Sequence, residues 1–143
     1  MYKPINKIDI LSIEGIMVAR VRSEGGPAEA KKAFDVLESR MHGLKGRKMY
    51  GVFYPRKNEY FACVKLDNQF PDDMGFERST ISGGEYAYKK IENWSSKTQE
   101  IASIFKQLEK NVLENRIEID LNRPSIEFYR SFRELICMLP VKR

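Results

Sequence analysis

Two amphipathic helical stretches with the same apolar spacing, 71 positions apart, constrain this chain more than any other feature. Ala30, Ala33, Phe34, Leu37 and Met41 recur as Ile101, Ile104, Phe105, Leu108 and Val112. In the first stretch the apolar side chains share one helical face, with Lys31, Lys32, Asp35 and Glu38 outside. β-prone segments flank both: residues 8–11 and 15–22 before the first and 48–54 and 59–66 after it; 76–82 and 85–91 before the second and 125–130 and 135–141 after it. Pro27 suits the first turn of the first helix, and Gly43 and Gly46 its end. Ser96 with Gln99 has the spacing of a capping box for the second.

The hairpins repeat as well. Phe53-Tyr54 matches Phe128-Tyr129 at an offset of 75, and Cys63 matches Cys137 at 74. The pattern predicts an α+β domain over residues 1–143, built from duplicated strand-helix-strand-strand modules with pseudo-twofold symmetry and antiparallel sheets. Module one covers about 1–67 and module two about 76–143; the polar stretch 68–75 links them, and a ligand groove lies between them. Aligning the hairpins at these offsets puts Gly51, Phe53, Ile126 and Phe128 on the helix-covered faces. That leaves Tyr50, Val52, Tyr54, Glu127 and Tyr129 facing the groove, with Val18, Tyr86 and Tyr88 beside them. Trp94 would close one end of the groove, and Met138 would soften the end of the last strand.

Composition narrows the function classes. Net charge is +5, but residues 1–74 carry 13 basic and 10 acidic side chains and residues 75–143 carry 12 and 10. Only Lys45-Gly46-Arg47-Lys48 is locally basic, so no stripe of the kind that neutralises many phosphates is present and direct nucleic-acid binding is not expected. No apolar run reaches membrane-spanning length and no secretory leader is evident, which makes the cytoplasm the expected compartment. Cys63 and Cys137 lack metal-ligand spacing, and no metal or cofactor is expected. The single histidine, His42, is placed to cap a helix, so no Ser-His-Asp or Cys-His arrangement can be assembled.

Residues 124–129, Pro-Ser-Ile-Glu-Phe-Tyr, followed by Leu139-Pro140-Val141, resemble the C-terminal signature of the gyrase-inhibitor-like (GyrI-like) small-molecule-binding family. That family includes effector-binding domains of multidrug-sensing transcription activators. Residues 18–25 and the Ser-Gly-Gly-Glu-Tyr-Ala run at 82–87 agree with it, so the resemblance spans nearly the whole chain. It implies that Glu127 lies on a ligand groove whose aromatic residues help hold the ligand. It also implies two alternatives to sensing or sequestration: hydrolysis of strained electrophiles using Glu127, and a protein-interaction role of the gyrase-inhibitor type. Met138 stands where the family usually has an aromatic residue.

Aromatic faces around one carboxylate suit an amphipathic organic cation, since cation–π contacts contribute about 0.5 to 2 kcal/mol each. Burial would raise the carboxyl's pKa, and a bound cation would reverse that shift. The competing reading makes the tyrosines cross-strand packing pairs and gives Glu127 a basic neighbour, Arg123 or Arg130. The expectation is a stand-alone binder of amphipathic, cationic or aromatic ligands rather than an enzyme, with a protein partner or homodimer also open. If it is an enzyme, it is a hydrolase, for which Glu85 or Glu14 would be a second acid.

Overall fold

The computed structural model describes residues 8–40, 46–131 and 133–143. Expectations that fall on Met41, His42, Gly43, Leu44, Lys45 and the first seven residues lie outside this range. In chain order the elements are β1 (Ile10–Ile13), β2 (Ile16–Ser23), α1 (Ala30–Arg40), β3 (Met49–Tyr54), β4 (Glu59–Lys65), β5 (Glu77–Ile81), β6 (Gly84–Glu92), α2 (Ile101–Glu114), β7 (Glu118–Ile119), β8 (Ser125–Tyr129) and β9 (Glu134–Lys142). The strands form one antiparallel sheet in the order β1-β6-β9-β8-β3-β4-β2-β5, with β7 paired to the end of β9.

Two tight links curl that sheet into a half-barrel. Glu14-Gly15 joins β1, at one edge, to β2, the strand next to the opposite edge; Ser82-Gly83 does the same for β5 and β6. The links touch: a Cβ on Gly83 would lie 2.8 Å from both the backbone nitrogen of Gly15 and the carbonyl oxygen of Ile13. Only a residue without a side chain allows that approach.

The curl explains how a sheet face without a helix stays dry. Val18, Tyr50, Val52, Tyr86, Ile126 and Met138 form one cluster there, drawn from strands on both sides of the sheet, and each is no more than 4% exposed. Tyr50 stacks on Phe128 at 4.8 Å. The opposite face carries the helices. α1 packs on β2 and β4 through Ala33 and Leu37, and α2 packs on β6 and β9 through Leu108 and Val112. β9 is therefore covered on both faces, which is why Leu135 to Val141 is a continuous apolar run rather than an alternating one. The central pair β3–β8 lies between the two helices.

The proposed capping box does not form. Asn93 adopts a left-handed conformation and the chain makes two short 3-10 turns, Trp94–Ser96 and Thr98–Glu100, before α2 begins at Ile101 without a side-chain cap. Ser96 bonds back to the Asn93 carbonyl at 3.0 Å. The turns hold Trp94 over the β8–β9 connection, where its indole N–H donates to the Ser131 carbonyl at 3.0 Å.

Arg123 staples the end of the half-barrel. Its guanidinium donates to the carbonyls of Gly83, Glu85 and Val141 and to Asp120, and lies 4.8 Å over the Tyr86 ring. Replacing it by methionine keeps the aliphatic stem and strips three carbonyls of their donor. The expected cost is about 2 to 4 kcal/mol, seen as a thermal midpoint roughly 5–15 °C lower. A change within 2 °C in a melting experiment would show that the staple contributes little.

Candidate functional site

The two faces divide the residues expected to line one groove. Register pairs Tyr50 with Phe128, Gly51 with Glu127 and Val52 with Ile126. Glu127 and Tyr129 therefore share the helix-covered face with Gly51 and Phe53, while Ile126 and Phe128 point inward with Tyr50, Val52 and Tyr54. The hairpin offsets of 75 and 74 are out of phase with the fold. Phe53 and Phe128 lie on opposite faces, and so do Cys63, in the inner cluster, and Cys137, in the cluster beneath α2. A one-residue slip sends every side chain of a strand to the wrong side. Val18, Tyr50, Val52, Tyr86 and Met138 are core of the curled sheet, with Tyr88 partly buried against them, and Tyr54 stands at its rim. There Arg20, Arg22, Tyr54, Lys57, Glu59, Phe61 and Glu77 line a cavity of about 460 Å³ whose two arginines are paired with Glu77 and Glu59.

The structure assembles a different set around Glu127. Tyr60, from β4, donates its hydroxyl to Glu127 Oε1 at 2.5 Å, and Tyr129 donates to the same oxygen at 2.9 Å. Oε2 takes no hydrogen bond among the described residues. Gly51 makes this geometry possible: a Cβ there would fall 1.8 Å from the Tyr60 hydroxyl and 2.4 Å from Glu127 Oε1. The Tyr129 ring spans the trough, edge-to-face with Phe34 of α1 at 5.5 Å and with Trp94, ahead of α2, at 5.0 Å. One carboxylate thus sits on the central strand pair between the two helices, bonded to a tyrosine whose ring packs against Phe34 on one side and Trp94 on the other.

Neither basic neighbour pairs with it. Arg123 is committed to Asp120 and backbone carbonyls, and Arg130 to Glu134 at 3.0 Å. Glu85, the alternative second acid, is paired with Arg143, which lowers its pKa. Glu127 is partly buried without a counter-ion among the described residues. Burial pushes its carboxyl above the ordinary range, against the opposing pull of the Tyr60 and Tyr129 hydroxyls. The same burial, with the adjacent Glu127 charge, drives the Tyr60 and Tyr129 hydroxyls far up and the Cys137 thiol up to about 12. All three stay protonated at neutral pH, so both phenols remain donors.

Sequence reasoning did not single out Tyr60, Gly51 or Phe34 as site residues. The available signal was a glycine inside a strand, which marks close approach of another group. Among the described residues no cluster of three or more His, Cys, Asp or Glu side chains could hold a metal, and no helix is long and apolar enough to cross a membrane.

No protein-family model matches the sequence, and no curated protein does. Solved structures do share the fold. A Vibrio cholerae integron cassette protein is similar at a TM-score of 0.66 and 17% identity, over 94% of this chain and 95% of that one. A protein solved with tetraphenylphosphonium bound is similar at 0.59 and 12%, over 96% and 94%. A Listeria innocua protein described as a hydrolase is similar at 0.57 and 14%, over 99% and 94%.

Proposed function

We propose that this chain binds amphipathic organic cations in the trough between α1 and α2, with Glu127 as the anionic floor and Tyr129, Trp94 and Phe34 as the aromatic wall. The observation that carries the reading is the partly buried carboxylate that, among the described residues, has no basic partner, one oxygen held by two phenols and the other without a hydrogen bond. Such a charge is costly when the site is empty. A lipophilic cation would restore the ion pair and place its apolar surface against the rings. Occurrence of the same fold in a protein that holds tetraphenylphosphonium supports that ligand class. The resemblance to the GyrI-like family and the duplicated-module origin of the fold belong to this reading too. The strand order supports both: β6-β9-β8 on one side of the centre is answered by β2-β4-β3 on the other.

Trp94 is the only tryptophan in the chain and touches Tyr129, so it reports on the site directly. Titration with tetraphenylphosphonium is expected to change its emission saturably. Trp94→Leu should weaken binding roughly three- to thirtyfold, the value of one aromatic contact to a cation. Unchanged emission at saturating ligand would place binding elsewhere.

A second reading rests on the same carboxyl. A raised acid with one unengaged oxygen can act as a general acid or activate a water, and the Listeria innocua hydrolase shows that the fold occurs in an enzyme. Incubation with strained electrophiles and product analysis separates the two: turnover lost in Glu127→Gln establishes hydrolysis, and intact recovery establishes binding.

A further inference from the structure

We infer that Tyr60, seated in the hollow left by Gly51, is a specificity-determining positioning residue: it holds one oxygen of Glu127 so that the other is left to meet a cation. The inference rests on the cation-binding reading above. Tyr129 bonds the same oxygen, but its ring is itself part of the proposed aromatic wall, packed against Phe34 and Trp94. Tyr60 is different. It reaches Glu127 from β4, two strands away, across a backbone that lacks a side chain, and it is only 2% exposed. It touches the acid while staying behind it.

This position gives Tyr60 an electrostatic task that packing alone would not. Among the described residues, Glu127 pairs with Gly51 from β3 and Cys137 from β9 and is hydrogen-bonded by Tyr60 from β4 and Tyr129 on its own strand; Phe34 from α1 and Trp94 ahead of α2 pack against the Tyr129 ring. Among the described residues no lysine, arginine or second carboxylate acts on it, and the two influences that oppose its burial-raised pKa are phenol hydrogen bonds. A hydrogen bond donated to a carboxylate favours the anion. Tyr60 therefore keeps the site negatively charged at pH values where burial alone would protonate it. Cation uptake becomes coupled to proton loss: affinity falls as pH drops through the raised value of Glu127 and levels off above it.

Calorimetric titration of the full chain with tetraphenylphosphonium between about pH 5 and pH 9 tests this in the wild type, Tyr60→Phe and Glu127→Gln. Phenylalanine keeps the ring and removes only the hydroxyl. Tyr60→Phe is expected to match the wild type at the alkaline end and to bind about tenfold more weakly on the acid side, the value of one hydrogen bond to a charged group. Glu127→Gln should be weak and pH-independent throughout. Equal loss in Tyr60→Phe at every pH would reduce Tyr60 to packing and overturn the inference while leaving cation binding intact; so would identical profiles for Tyr60→Phe and the wild type. Absence of binding by the wild type at any pH would overturn the cation-binding reading itself, and this inference with it.

Discussion

Glu127→Gln is expected to lose cation affinity roughly a hundredfold and, at the same time, to make the ligand-free protein more stable at neutral pH. The first effect follows from removing the charge proposed to meet the cation, worth about 2 to 3 kcal/mol when the pair is shielded from water. The second follows from linkage. Burial lifts the Glu127 carboxyl above its ordinary value of 4.5, so the folded state binds its proton more tightly than the unfolded state does. Stability from this group is then present at low pH and lost as pH rises from the ordinary value through the raised one. Glutamine is neutral, of similar shape, and keeps a carbonyl to accept from Tyr60 and Tyr129. Its thermal midpoint should exceed the wild type by a few degrees at neutral pH, with the difference vanishing on acidification. Melting curves at several pH values check this. A glutamine variant less stable at every pH would mean that Glu127 is structural.

Gly51→Ala is expected to be the most damaging small substitution in the trough. The added methyl would fall 1.8 Å from the Tyr60 hydroxyl and 2.4 Å from Glu127 Oε1, far inside van der Waals contact. Either Tyr60 leaves its seat or β3 shifts against β8, and overpacking of this kind costs about 1 to 3 kcal/mol. The phenol's hydrogen bond to Glu127 is lost in addition. A fall in midpoint of roughly 5–15 °C should accompany a loss of phosphonium affinity of tenfold or more. Combining Gly51→Ala with Tyr60→Val should recover part of the stability but none of the affinity on the acid side of the Glu127 titration, because it removes the clash but not the need for the hydroxyl there. A single alanine variant that melts and binds like the wild type would mean that the hollow is not where Tyr60 is held.

The α+β composition, the eight longer strands and the two helices were legible from periodicity because each helix buries a simple stripe and most strands carry β-prone runs. The two-residue β7 has too few residues to show a pattern. The phase of the hairpins was the harder part. Phe53-Tyr54 and Phe128-Tyr129 look like the same dipeptide, yet they sit on opposite faces of adjacent strands. β4 and β9 are apolar on both sides, so their alternation carried no signal to correct the slip. Glu127, Tyr129 and Trp94 stand out in the sequence because a carboxylate beside a tyrosine in an apolar strand and a lone tryptophan are conspicuous by chemistry, and the structure brings these three together. Tyr60 was hidden within an apolar strand, and its hydrogen bond to Glu127 appears only once register sets it opposite Phe53 and lets it reach across Gly51. The tyrosines that resembled a ligand cage, Tyr50 and Tyr86, instead fill the interior of the curl.

The measurement that tests the central claim most directly is a pair of calorimetric titrations at neutral pH, tetraphenylphosphonium and neutral triphenylphosphine oxide, each against the wild type and Glu127→Gln. An unpaired carboxylate acting as the cation site predicts saturable binding of the phosphonium to the wild type. It also predicts a loss of about a hundredfold in the variant and little difference between the two proteins for the neutral compound. Equal losses for both compounds, or phosphonium binding that survives the substitution, would contradict it.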